Sequence, residues 1–275
     1  MQVISSDNPI GVFDSGIGGL TVVSQLIKLL PSENIIYFGD TARVPYGNKS
    51  AEVIREYALQ DAKFLLSKGV KLIVIACNTA SALAMDVVRT HSTVLTVGVI
   101  EPTAKEAIRQ VSTRGVGVIG TLSTINSSAY ENTLKNLSAG IRIFSQACPL
   151  FVPLTEEGMF DHQATDLVAK EYLSGFSGKI DVMILGCTHY PLLRNAISRV
   201  LGGDVRLVDA GEATAKSVFE LLSSTGMLNT QKAKARYEFY VSDFPQKFNE
   251  IAERFLGTKL EFVRKVQIYS NGEIR

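Results

Sequence analysis

The chain has 275 residues, 46% of them apolar and 20% charged, a globular composition that excludes both a disordered chain and a small scaffold stapled by disulfides or metal. Lys and Arg total 28 against 27 Asp and Glu, and the resulting net charge of +1 offers no electrostatic footprint for nucleic acid or an anionic membrane. No apolar run approaches the roughly 20 residues of a membrane-spanning helix, and residues 1–9 lack the basic-then-apolar order of a secretory signal, so a cytoplasmic location is expected.

Short β-branched apolar runs then alternate with amphipathic stretches. In chain order, residues 10–13 read as strand, 20–30 as helix, 34–38 as strand, 50–67 as helix, 71–76 as strand, 81–89 as helix, 94–99 as strand and 102–110 as helix. Strands at 116–119 and 141–144, a helix at 164–172, a strand at 180–185, a helix at 191–201 and a strand at 205–208 follow. A helical stretch runs from Asp209 through Leu222, and extended runs return at 236–241 and 260–263. Near-continuous Val, Ile and Leu strands between helices are buried on both faces, which predicts an α/β fold with doubly wound, mainly parallel sheets.

The pattern occurs twice. Gly11-Val12-Phe13 matches Gly117-Val118-Ile119, residues 36–38 match 143–145, residues 71–77 match 181–187, and Thr103-Ala104-Lys105 matches Thr214-Ala215-Lys216. The offset drifts from 106 residues at Gly11 and Gly117 to 111 at Thr103 and Thr214, as a diverged duplication would. Common strand spacing alone does not predict a cysteine at the same strand end in both halves. Two pseudo-symmetric domains are therefore expected, 1–98 joined by 209–275 and 99–208, with a hinge in the short connections and the active site in the cleft between them.

Ligands of open parallel sheets bind beyond the carboxyl ends of the strands. After the first strand, Asp14-Ser15-Gly16-Ile17-Gly18-Gly19-Leu20-Thr21 offers glycines for a tight turn and backbone N–H groups at a helix start. It matches neither the dinucleotide fingerprint nor a P-loop, and a plain strand-to-helix turn explains its glycines but not Asp14. After the second strand, Asp40 to Gly47 form a polar loop shaped by Pro45 and Gly47, in which Asp40 reads equally well as a turn cap. The most specific pair is Cys77-Asn78-Thr79 and Cys187-Thr188-His189. Each cysteine ends a strand before a helix, whose positive end is expected to favour a thiolate. Three cysteines so widely spaced build neither a disulfide framework nor a zinc site. Cys148, at another register, reads as packing; His91 and His162 read as surface residues, Glu156 as a carboxylate in a helix first turn, and Lys232, Lys234 and Arg236 as a solvated face.

A cysteine hydrolase needs one thiolate with a histidine base, and a redox pair places its thiols together. Inverting a stereocentre needs a base on one face of a carbon and an acid on the other, which two thiols from mirrored halves supply. The motifs Asp14-Ser15-Gly16, Gly39-Asp40-Thr41-Ala42-Arg43 with Pro45-Tyr46-Gly47, Ala76-Cys77-Asn78-Thr79-Ala80 and Gly186-Cys187-Thr188-His189-Tyr190-Pro191 resemble those of the cofactor-independent glutamate racemases of the aspartate/glutamate racemase superfamily. The resemblance runs from Ile10 to about Leu228. It implies interconversion of L- and D-glutamate without pyridoxal phosphate or metal, supplying D-glutamate for bacterial peptidoglycan.

Residue by residue, the resemblance implies Cys77 and Cys187 as the acid/base pair, Cys77 serving D-glutamate and Cys187 L-glutamate, with Asp14 and His189 assisting. Ser15, Tyr46, Gly47, Asn78, Thr79, Thr121 and Thr188, together with Asp14 and His189, would hold the carboxylates and amino group of the substrate. Asp40 and Glu156 would stand behind them. Many relatives carry a third cysteine where this chain has Val44, so that position is expected to be dispensable. The implied partner is a small molecule, without nucleic acid or membrane, and the resemblance leaves room for a homodimer. Two other readings stay open at this point: an aspartate racemase using the same thiols, and a non-catalytic binding or inhibitor protein on the same fold.

Overall fold

The computed structural model describes residues 4–231, 234–243, 263–269 and 273–275, with positions 248, 252, 253, 255, 256 and 260 between them. The first half runs β1 (Ile10–Asp14), α1 (Leu20–Leu29), β2 (Ile35–Gly39), α2 (Ala51–Ser67), β3 (Leu72–Ile75), α3 (Asn78–His91) and β4 (Leu95–Gly98). The second runs α4 (Ile100–Gln110), β5 (Val116–Gly120), α5 (Leu122–Asn126), α6 (Ala129–Leu137), β6 (Ile143–Ala147), α7 (Phe151–Glu156), α8 (Gln163–Leu173), β7 (Val182–Gly186), α9 (Arg194–Leu201) and β8 (Arg206–Asp209). There follow α10 (Ala210–Ser224), β9 (Tyr237–Val241) and β10 (Val263–Lys265).

Two sheets result, one ordered β10-β9-β2-β1-β3-β4 and the other β6-β5-β7-β8. Every strand pair in both is parallel. The order β2-β1-β3-β4 in the first sheet is the order β6-β5-β7-β8 in the second, so the repeat read from the sequence is a repeat of topology. One match moves: Gly11 pairs with Ile36 and Gly117 with Phe144, which makes Phe144 the counterpart of Ile36 rather than Ile143. With side chains alternating between faces, a one-residue slip would have exchanged the two sides of the strand.

Alternation also explains the double coverage. In the first sheet Val12, Tyr37 and Val74 pack with α1 and α10, while Phe13, Phe38 and Ile75 pack with α2 and α3. In the second, Met183 and Leu185 face α8 and α9, whereas Val182 and Ile184 face α4 and α6. Asp209, the last residue of β8, caps α10 by accepting from the backbone N–H groups of Gly211 and Glu212 at 2.7 and 3.3 Å, which turns the chain back within one residue. The segment beyond α10 then adds β9 and β10 to the edge of the first sheet beside β2.

Several expected bounds shift. The helix after Cys77 starts at Asn78, not Ser81, because the polar stretch between them is buried at the strand end. The helix expected from residue 191 starts at Arg194, after a 3-10 turn, Tyr190–Leu193, that contains Pro191. Helices α5, α6 and α7 were not among the expected elements. The first and last are one or two turns long, too short for a period, and α6 is set off by Ser128 in a left-handed conformation at φ 56°. The last strand spans Val263–Lys265 rather than 260–263, and Glu261, Phe262 and Lys232 lie outside the described residues. Lys234 and Arg236 are exposed, as expected of a solvated face.

Behind the strand starts, away from the candidate site, Lys71 Nζ lies 2.6 Å from Glu33 Oε2, with side-chain exposures of 0% and 2%. The ammonium also donates to the carbonyls of Ser6 and Met227, and Glu33 accepts from the backbone N–H of Asn229, so one ion pair ties four segments of the chain together. Lys71→Met is expected to lower the stability to urea by about 3 kcal/mol, because it strands a buried carboxylate, while leaving the activity of the folded fraction unchanged.

Candidate active site

Cys77 and Cys187 follow the equivalent strands β3 and β7, and both are buried with 6% of their surface exposed. Their side chains line one cavity of about 380 Å³ formed by loops of both halves. Ser15, Tyr46, Gly47, Asn78 and Thr79 line it from the first half, and Thr121, Glu156, Thr188 and His189 from the second. Of the residues singled out from the sequence, only Asp14 and Asp40 stand behind the wall instead of in it. Sequence reasoning missed the rim at Pro149, Leu150, Val152 and Pro153, in which Leu150 is 51% exposed beside the opening. Its only sequence mark was the proline pair bracketing an apolar run.

Asp14, at the end of β1, accepts from the backbone N–H of Gly16 at 3.1 Å and from the Thr188 hydroxyl at 3.5 Å. Burial raises its pKa, opposed by the charge of His189 and by backbone donors of Gly19, Gly16 and Ser15. The Cys77 thiol donates to Ser15 Oγ at 3.7 Å. Although Cys77 caps α3 as expected, its pKa is pushed up to about 12, first by burial and then by the neighbouring Asp14. The helix end therefore does not win: burial and Asp14 favour the thiol.

Cys187 departs differently. A 3-10 turn intervenes before α9, so no α-helix N-terminus meets its sulfur. Its neighbour is His189, with Nδ1 3.7 Å from Sγ. The other ring nitrogen lies 3.3 Å from Glu156 Oε1, an ion pair when the ring is protonated. Burial opposes a charge on this imidazole, but Cys187, Glu156 and Asp14 together outweigh it and push its pKa up to about 10. Glu156 thus sits at the last residue of α7 facing His189, not in a helix first turn. Cys148 is packed in the core of the second half with its thiol on the Gln146 carbonyl, and His91 and His162 are exposed, all as expected.

Asp40 is fully buried and is no solvent-facing turn cap. It accepts from Arg43 Nε at 2.6 Å, from the Ser242 hydroxyl at 3.0 Å and from the Tyr46 hydroxyl, which also donates to Asp61 at 3.0 Å. Asp61, overlooked in the sequence because it lies mid-helix, holds Arg43 from the other side at 3.0 Å. This cluster holds the loop that carries Tyr46 and Gly47.

The halves meet closely around the cavity. The hydroxyls of Thr79 and Thr121 are 2.9 Å apart, and Ser123 donates to the Gly47 carbonyl at 2.7 Å. A Cβ on Gly18 would lie 2.3 Å from Thr188 Oγ1 and 2.7 Å from the His189 ring. Among the described residues no group of three His, Cys, Asp or Glu side chains is placed to hold a metal ion, and no helix is long and apolar enough to cross a membrane.

The sequence model of the Asp/Glu/hydantoin racemases matches residues 10–218. The chain belongs to this family. A glutamate racemase of Chlorobaculum tepidum is 51% identical over 265 residues, covering 96% of this chain and 97% of the relative. The crystal structure of glutamate racemase from Francisella tularensis in complex with D-glutamate superposes with a TM-score of 0.89 at 45% identity, covering 95% of this chain and 98% of the other. Glutamate racemase from Thermus thermophilus in complex with β-chloro-D-alanine superposes with a TM-score of 0.87 at 44% identity, covering 96% and 98%.

Gly18→Ala is expected to lower the racemase activity about a hundredfold with the circular dichroism of the fold retained, because displacing Thr188 and His189 by an ångström spoils the alignment of reacting groups. A second measurement addresses charge. Because the folded pKa of His189 lies above the 6.5 of a free histidine, its proton contributes stability that is complete below pH 6.5 and lost as pH rises through about 10. Nitrogen-15 NMR of the ring is expected to show an imidazolium at pH 8 that titrates near 10; release near 6.5 would remove the cation from the site.

Proposed function

We propose that the protein interconverts L- and D-glutamate by proton transfer between the substrate Cα and the thiols Cys77 and Cys187. The observation that carries this reading is that two thiols from equivalent strand ends of two like-ordered sheets line a single cavity. In each direction one sulfur, as thiolate, takes the Cα proton, leaving a planar carbanion, and the S–H across from it returns a proton to the other face. The two thiols exchange roles in the reverse direction, and no cofactor enters the reading.

The surroundings suit the charges involved. Negative charge flows from Cα into the α-carboxylate as the proton leaves, and donors such as Thr79 and Thr188 at the cavity wall stabilise it there. His189, as a cation 3.7 Å from Cys187, balances charge on that sulfur. The high pKa of Cys77 is set by burial and Asp14; the substrate ammonium brings a compensating positive charge on binding. In this reading residues 1–98 with 209–275 and residues 99–208 are the two domains, the cleft is the active site, the protein works in the cytoplasm, and its product feeds bacterial peptidoglycan. The solved Francisella tularensis relative with bound D-glutamate supports glutamate as the ligand.

Incubation with either enantiomer of glutamate, without added cofactor, should converge on a 1:1 mixture by circular dichroism, since enantiomers are equal in free energy. Aspartate should react far more slowly, because its missing methylene costs about 1–3 kcal/mol in a site built for the longer acid; equal kcat/KM would favour the aspartate racemase reading. In D2O, Cys77→Ser should exchange the Cα proton of L-glutamate faster than it racemises it, and Cys187→Ser should do so for D-glutamate. Folded variants that both favour one enantiomer would overturn the two-sided assignment, retention of full activity in both would take the thiols out of the reaction, and wild-type protein that racemises neither acid would leave only a binding protein.

A further inference from the structure

Asn78 is almost fully buried, lines the cavity next to Cys77, and its amide nitrogen Nδ2 has no hydrogen-bond partner. A buried donor without a partner is costly, so such a group in a native site points to something absent that it serves. What decides which end of the amide faces the cavity is the partner on its oxygen. Tyr130, on α6 of the other half, donates its hydroxyl to Asn78 Oδ1 at 2.6 Å. Burial keeps the phenol protonated, so it has a proton to give.

The same ring touches the second thiol's strand. A Cβ on Gly186, the residue before Cys187, would lie 3.1 Å from Tyr130 Cε2, so the ring packs against that strand end with no room for a side chain between. One tyrosine thus bridges the residue after Cys77 and the residue before Cys187. Neither the duplication nor any strand-end motif draws attention to it, since it lies in the first turn of α6, and nothing in the assigned site includes it.

We propose that Tyr130 is a positioning residue of the racemase site: by occupying Asn78 Oδ1 it turns Nδ2–H toward the cavity as a donor for a carboxylate of the bound amino acid. The inference rests on the glutamate racemase reading above. It adds that the donor is aimed by the opposite half of the protein, so the carboxylate subsite is complete only when α3 and α6 are in register. An amide free to rotate would present oxygen as readily as nitrogen, and an oxygen would repel a carboxylate.

Tyr130→Phe keeps the ring against Gly186 and removes only the hydroxyl. In the full-length protein, KM for both L- and D-glutamate should rise about tenfold with kcat changed less than about twofold, the pattern of an interaction made equally in ground and transition states. In an Asn78→Ala background the same substitution should have no further effect on KM, since its target is gone. Asn78→Asp gives an independent reading of orientation. The carboxylate still accepts from Tyr130, so the melting temperature should hold, yet it presents negative charge to the cavity, and KM should rise about a hundredfold or more for want of a paired buried donor.

An unchanged KM in Tyr130→Phe, a loss confined to kcat, or an equal loss in the Asn78→Ala background would overturn the proposal. So would an Asn78→Asp protein that binds glutamate normally, because Oδ1 would then be the atom facing the ligand. Wild-type protein without glutamate racemisation would instead remove the reading on which the inference rests, an outcome read before any variant is made.

Discussion

The site depends on how closely two loops from different halves approach each other. The β1 loop passes Gly18 against Thr188 and His189 with no room for a single carbon. Thr21 holds the contact from beside it, donating to the carbonyls of Gly18 and Thr188 at 2.9 and 3.1 Å. From that approach follow the enclosure of both thiols, the placement of Asp14 within reach of Thr188, and the proximity of His189 to the charge of Asp14. The groups brought together there are buried, and buried polar groups feel one another strongly because the local dielectric is low.

Their neighbours make the two thiols unlike despite their equivalent origin and equal burial. Cys77 has a hydroxyl and a buried carboxylate for company, and it holds its proton. Cys187 has an imidazolium whose proton is kept by the surrounding acids. A duplicated fold thus supplies two sulfurs in like positions, and the diverged residues around them set different electrostatics.

Support for the cavity comes from buried polar clusters rather than from apolar packing alone. Arg43 lies between Asp40 and Asp61 and stacks 4.1 Å from the Tyr57 ring centre, and Tyr46 spans the same two carboxylates. Burial and the neighbouring Asp40 push the Asp61 carboxyl well above the usual carboxylate range, and polar groups this deep are held because each has several partners. Their effect is directional: the loop from Asp40 to Gly47 is held at its root, and its tip meets Thr121 of the other half, where a Cβ on Gly47 would lie 2.7 Å from the Thr121 side chain.

Much of this was legible in the residues. Continuous apolar strands declare a sheet covered on both sides, and the recurrence of Cys at the end of two such strands declares which ends matter, because strand polarity in parallel sheets puts function at the carboxyl edge. Local chemistry therefore determined the fold class, the duplication and the two thiols. The tertiary structure decided the rest. Asp61 lies mid-helix, Tyr130 in the first turn of α6 and the rim at Leu150 in a short apolar segment, and their meaning comes from what another element brings to them. The protonation of Cys77 was decided there too: a helix end argued for a thiolate, but the desolvation that overrides it arises only when two halves distant in the chain close around the sulfur.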